Sequence, residues 1–294
     1  MNCTIVAAQS QLIREEIVDL ESRLQDAKER LNSIEGAVAP FPSLPNEGPI
    51  SASSHHFLFL LADSALPLGS FAFSSGLESY LAHTSPTPSF PHFLTLSLSS
   101  YASTNLPFVL AAHINPLDIL ALDDAQDATI MCPVARRASV AQGRALLSIW
   151  DRSFSPVASA ASSPSSAVQA LKVFSTILRS SSGSGTASEL PPASAHIAPL
   201  FGAVACILGL SLKQTAYVFV LSHVKALLSA AVRAGRFGPY HAQKVLASLE
   251  VQAGIHEVLE REWGIRIEDA GQTVPVMDLW IGRHEMLYSR IFNS

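Results

Sequence analysis

Three acidic residues spaced to share a cation are the first feature that could do chemistry. Asp123, Asp124 and Asp127 spell D-D-x-x-D in a segment of helical period, so Asp123 and Asp127 fall four apart on one helix face. Hard divalent cations take carboxylate oxygens. A pair so placed can hold Mg²⁺ against a diphosphate, with Arg136 and Arg137 nearby to meet phosphate oxygens. That chemistry needs a second carboxylate motif on a facing helix, and the sequence offers none. The plainer expectation is a solvated acidic helix end. His55 and His56 are the only adjacent pair among ten histidines and read as a solvated pair ahead of a helix rather than as ligands. There is no G-x-x-x-x-G-K-[ST], no H-E-x-x-H, no G-x-S-x-G and no close Cys/His spacing. P-loop nucleotide hydrolysis, zincin chemistry, a nucleophile elbow and a structural zinc site are therefore not expected.

The elements that must position any site are helical in period. Tyr217, Val220, Leu221, Val224, Leu227, Leu228, Ala231 and Val232 keep one face over four turns; Gly235 stops that helix, and Pro239 is placed to start another running towards Trp263. Pro116–Asp127 and Pro133–Trp150 also read as helices. Pro91–Leu106 alternates enough to leave a strand open locally. Pro67 and Gly69 make a corner, Ser70 is placed to cap a helix, and Phe73, Leu77, Tyr80 and Leu81 share its apolar face, with Ser74, Ser75 and Glu78 opposite. Ser- and Ala-rich stretches near 151–166 and 179–195 read as flexible loops around a short helix. No strand–helix alternation and no long repeat is visible, so the fold class is all-α.

Residues 11–35 stand apart. Ile13, Ile17, Leu20, Leu24, Ala27, Leu31 and Ile34 are spaced as heptads, and eleven of the chain's 43 charges fall between Arg14 and Glu35. This predicts either a short coiled coil or a lone amphipathic helix. A Pro/Ser-rich linker follows to residue 54, and the main domain spans 55–294. Hydrophobic residues make up 48% and charged ones 15%, which implies a large core, extra buried interface, or both. The net charge of -5 argues against nucleic-acid binding. Cys3, Cys132 and Cys206 are too few and too scattered for a disulfide framework, and suggest a reducing compartment. The longest uncharged apolar stretch, Ile197–Leu212, falls short of the ~20 residues a membrane span needs.

Four segments carry a resemblance to a known family. In L-A-D-S-A-L-P-L-G-S-F-A-F-S-S-G-L-E, residues Asp63, Ser64, Leu66, Pro67, Gly69, Ser70, Phe71, Ser74, Gly76, Leu77 and Glu78 fit one fixed frame. Arg136, Ser139, Gly143 and Leu146 fit a second. His196 to Leu210 fit a third, with Pro199 shifted one place, and Arg233, Phe237, Gly238, Ala242 and Gln243 extend it, with Arg236 and Pro239 departing from the pattern. Pro275, Asp278, His284, Leu287, Arg290, Phe292 and Ser294 fit the fourth. Together they resemble the urease accessory proteins UreF over about 56–150 and 196–294, leaving the heptad segment, the first linker and the Ser-rich loops uncovered.

The resemblance implies a single all-α UreF-like domain, here with an N-terminal helical extension, acting as an assembly factor for the nickel enzyme urease. Family members bind the accessory protein UreD (also called UreH) and through it apo-urease. They also recruit the GTPase UreG and regulate its cycle, so that Ni²⁺ reaches the urease site. Such a protein does no bond chemistry and holds no cofactor of its own. It works in the cytoplasm, away from membranes, and the resemblance favours a homodimer. Whether Ni²⁺ touches this chain or passes through a channel it helps to line is left open. By this resemblance His284, Tyr288, Arg290, Phe292 and Ser294 are candidates for the UreD-like interface, with aromatic and Arg anchors of the kind enriched at hot spots. Asp63, Ser70, Glu78, Arg233 and Gln243 are candidates for a GTPase-facing or structural surface. Two other classes stay open: a Mg²⁺-dependent prenyl-type enzyme built on Asp123, Asp124 and Asp127, and a generic helical scaffold.

Overall fold

The structure is a computed structural model that describes residues 17–30, 52–63, 66, 70–84, 88–156, 166–181 and 193–293. All the described elements are helices or turns, and no strand occurs among them. The chain divides into two units, Met1–Pro49 and Ile50–Ser294. In the first, residues 17–30 form helix α1, on which every residue is exposed, the heptad positions Ile17, Leu20 and Leu24 included. Ile13, Leu31 and Ile34 lie outside the described residues, as does most of the linker. Residues 52–54 already belong to the first helix of the second unit.

That unit runs α2 (Ala52–Ala62), α3 (Leu77–His83), α4 (Phe90–Ile114), α5 (Ile119–Thr129), α6 (Pro133–Ile149), α7 (Ser166–Ser181), α8 (Ile197–Ile207), α9 (Leu212–Arg233), α10 (Pro239–Leu246), α11 (Leu249–Glu262) and α12 (Pro275–Arg283). The stretch where sequence left a strand open is α4, the central helix, packed against α8, α9 and α11. Ser89 caps it by accepting from the His92 amide, and Pro91 sits in its first turn. Pro107 lies inside α4 and has no N–H to give to the Ser103 carbonyl four residues back. That carbonyl instead accepts from the Gly271 amide at 3.2 Å, which ties the segment before α12 to the middle of α4.

α9 begins with a capping box between Ser211 and Gln214 and ends at Gly235, whose φ of +70° only glycine adopts freely. Taken singly, α9 is the one described helix long and apolar enough to cross a membrane, yet 61% of its most apolar window is buried inside the protein. It is a core helix. The segment from Pro239 towards Trp263 is two helices rather than one, because Ser248 caps a new start by accepting from the Val251 amide. The buried core joins Phe93, Leu106 and Phe108 of α4 to Leu200 of α8, Leu227 of α9 and Ile255 of α11. Each such side chain contributes about 1.5–3 kcal/mol. α4 and α8 cross closely at Gly202, where a Cβ would fall 2.2 Å from the Val109 carbonyl oxygen.

Three local expectations are corrected. Ser70 opens a single 3₁₀ turn, Ser70–Ala72, and the helix proper begins only at Leu77, after Gly76 in the left-handed region at φ +84°. Ser74 is fully buried rather than on a solvent face, because that turn points it inward. Residues 151–154 prolong α6 as a π turn, with Trp150 and Phe154 buried, and Ala193, Ser194 and Ala195 are buried rather than loose. The rest of the two Ser-rich stretches, apart from the ends of α7, lies outside the described residues.

Candidate functional site

The buried segment before α8 explains the D-D-x-x-D run. Asp123 is 1% exposed. Its Oδ2 accepts from the amides of Ser194 and Ala195 at 2.7 and 3.0 Å, and its Oδ1 from the amide of His196 at 2.6 Å. These amides belong to the segment that leads into α8, whose N-cap is His196, and no helix turn satisfies them, so a carboxylate from α5 caps that segment. Asp127 takes two hydrogen bonds from Arg136, at 2.6 and 2.7 Å, and one from His196 Nε2 at 2.7 Å. Burial works to raise its carboxyl, but the Arg136 and His196 donors outweigh it and hold the group at about 2. The other ring nitrogen of His196 lies 3.0 Å from Ser139 Oγ. Gly143 lets α6 pass beneath the same segment, since a Cβ there would fall 2.0 Å from the Ala195 carbonyl oxygen. Arg136, Ser139, Gly143 and His196 are thus one construction.

This overturns both earlier readings of the acidic run. Asp123 is not a solvated helix end, and it is not a metal ligand: its oxygens are committed to three backbone amides, while Asp124 faces solvent. Among the described residues no group of three His, Cys, Asp or Glu side chains could hold a metal ion.

A second construction joins the opposite ends of the domain. Glu78, at the start of α3, reaches the C-terminal tail. Its Oε1 accepts from the Ile291 amide at 2.7 Å; its Oε2 accepts from His284 Nε2 at 2.8 Å and from the Phe292 amide at 3.2 Å. The Asn293 amide donates to the Ala72 carbonyl at 2.8 Å. The Arg233 guanidinium lies 4.4 Å from the centre of the Phe292 ring and donates to the Phe71 carbonyl. Gly76 gives α12 room, because a Cβ there would sit 3.1 Å from the Ile281 nitrogen. Around this bracket Phe71, Met286, Tyr288 and Ile291 are exposed, Tyr288 completely.

The sequence-predicted residues divide accordingly. His284 and Phe292 are buried within this chain and anchor the tail, whereas Tyr288 and Arg290 face solvent. Ser294 lies outside the described residues. Glu78 and Arg233 belong to the bracket, Ser70 is half-buried, and Asp63 and Gln243 are exposed. One site went unforeseen. His223 of α9 is buried, bonds Ser97 Oγ at 2.9 Å and stacks on Tyr101 at 3.8 Å, beside a cavity of about 100 Å³ that Ser100, Asn105 and Gln142 also line. It stands four residues from both Phe219 and Leu227, which was the available signal.

Burial pushes the His223 imidazole down to about 3. The unfolded chain therefore binds a proton near pH 6.5 that the folded chain refuses, and stability falls as pH drops from 6.5 towards 3. Between pH 6.5 and 5 this group alone is expected to remove about 2 kcal/mol, at ~1.4 kcal/mol per unit. Urea unfolding across that range checks it: His223→Phe should flatten the slope, and an unchanged slope would refute the assignment.

The four frames are thus brought together as two tertiary constructions, and comparison with known proteins identifies whose they are. A model of the UreF family matches residues 87–250. A protein of Schizosaccharomyces pombe described as an uncharacterized urease accessory protein UreF-like is 35% identical over 246 residues, 83% of this chain and 99% of its own length. The chain belongs to the UreF family. Arabidopsis thaliana urease accessory protein F is 34% identical over 80% of this chain and 90% of its own, and Paenarthrobacter aurescens urease accessory protein UreF is 29% identical over 83% and 100%. These relatives of the UreF chain are named as accessory proteins, not as enzymes. The alignments cover most of each relative.

Proposed function

We propose that this chain is a urease accessory protein that assists insertion of Ni²⁺, as cargo, into apo-urease, without catalysing a reaction itself. It binds a UreD/UreH-like protein, and through it apo-urease, and it recruits and regulates a UreG-like GTPase. It does so as a homodimer in the cytoplasm. The regulation is differential binding: contact with one nucleotide state shifts the GTPase towards it. The observation that carries this reading is the tail, fixed by Glu78 while Tyr288, Arg290 and Ile291 face solvent, Arg290 at a position that fits the family's terminal motif. Exposed Tyr and Arg on a fixed backbone are the residue types that dominate binding energy at interfaces. Asp63 and Gln243, also exposed, are the candidates for contact with the GTPase.

Co-purification with a UreD/UreH-like protein, followed by addition of a UreG-like GTPase with GTP, Mg²⁺ and Ni²⁺, tests the proposal. Formation of the ternary complex is the expected result, and failure of a folded, helical chain to bind either protein would reject it. Arg290→Ala should weaken capture of the UreD/UreH-like partner by about 2 kcal/mol, as expected for a hot-spot arginine. Helix content by circular dichroism should not change, because Arg290 is exposed. Unchanged capture would remove the tail from the interface.

A further inference from the structure

Resting on the tail as the docking segment, we propose that Glu78 is a positioning residue for partner binding: it pre-organises the segment from His284 to Asn293 before any partner arrives. A tail that carries Met286, Tyr288 and Ile291 outward gains nothing from burying them in the free chain. Its order has to come from its backbone and its buried members. Glu78 supplies three of those restraints by itself, one to the His284 ring and one each to the Ile291 and Phe292 amides. The Asn293 amide on the Ala72 carbonyl and the Arg233 cation over Phe292 continue the same line, and Arg233 also holds the Phe71 carbonyl. Loss of the carboxylate frees the two amides and leaves the fully buried His284 without an acceptor.

The surface so fixed also specifies the partner's chemistry. Tyr288 and Ile291 offer apolar area. Arg283 and Arg290 are exposed cations with no acidic partner among the described residues, whereas Glu285 is already engaged by Arg137. The occupant that fits is a protein groove with an apolar floor and carboxylates on its rim. Ordering a peptide segment costs affinity when the restraint must be supplied on binding, and prior restraint removes that cost.

The test compares the full chain with Glu78→Ala and Glu78→Gln in binding to the UreD/UreH-like protein, with hydrogen exchange read at the Ile291 and Phe292 amides. Glu78→Ala is expected to lose protection at both amides and to weaken binding about tenfold or more, while the protection of α4 and α9 persists. Glu78→Gln, which keeps one oxygen, should fall between. Adding Arg290→Ala to Glu78→Ala separates fixing from contact, since a positioning role predicts that the Arg290 effect shrinks once the tail is released. Loss of amide protection with unchanged affinity would overturn the proposal and leave the bracket purely structural. Failure of the unmodified chain to bind would instead reject the docking reading on which the proposal rests.

Discussion

Asp123→Ala should cost roughly 3–5 kcal/mol of unfolding free energy, because it leaves three buried backbone amides without an acceptor at the start of α8. Chemical denaturation of the full chain measures this directly. Asp123→Asn should be damaging too, since an amide cannot present two acceptor oxygens to three donors. Asp124→Ala, in the same run but facing solvent, should stay within about 0.5 kcal/mol. The pattern separates the capping role from the Mg²⁺-holding one. A cation site would need both neighbours for activity and spare stability when its metal is absent. Equal tolerance of Asp123→Ala and Asp124→Ala would refute the cap.

Gly143→Ala should destabilise by about 3 kcal/mol, at the upper end of overpacking costs. The added methyl would fall 2.0 Å from the Ala195 oxygen and 2.7 Å from the His196 carbonyl carbon. Backbone on that side cannot turn away like a flexible side chain, and it is pinned from the other side by Asp123. The double variant with Asp123→Ala should therefore be less damaging than the sum of the two, because a released segment can move off the methyl. Strict additivity would show that the two residues do not act on one segment. Thermal or urea unfolding of the three variants decides it.

Much of the fold was legible because helix faces and punctuation are local properties. The apolar line from Tyr217 to Val232 became α9, Gly235 took the left-handed conformation its position called for, and Pro239 opened a helix. Which way a polar residue faces is not local. Asp123 and Asp127 do share a helix face, but nothing within the run says that the face is covered by a segment some 70 residues on. Ala193–Ala195 reads as loop by composition, yet it is buried because its amides have a distant acceptor. Glu78 looked like a surface charge for the same reason. The terminal motif was legible as residue types, but the division between buried anchors, His284 and Phe292, and outward ones, Tyr288 and Arg290, needed the tertiary fold.

The link between Glu78 and the tail also bears on the order in which the protein is made. The carboxylate meets partners 206, 213 and 214 residues further along the chain. At ~5–20 residues per second, a ribosome takes roughly 10–40 s to supply them. Throughout that interval α3 and the turn before it lack their closing restraints, and the core around α4 has to collapse without them. The bracket therefore closes only after His284, Ile291 and Phe292 emerge, so a translation product interrupted before them keeps an open first corner. Formation of this contact reports that synthesis has passed Phe292.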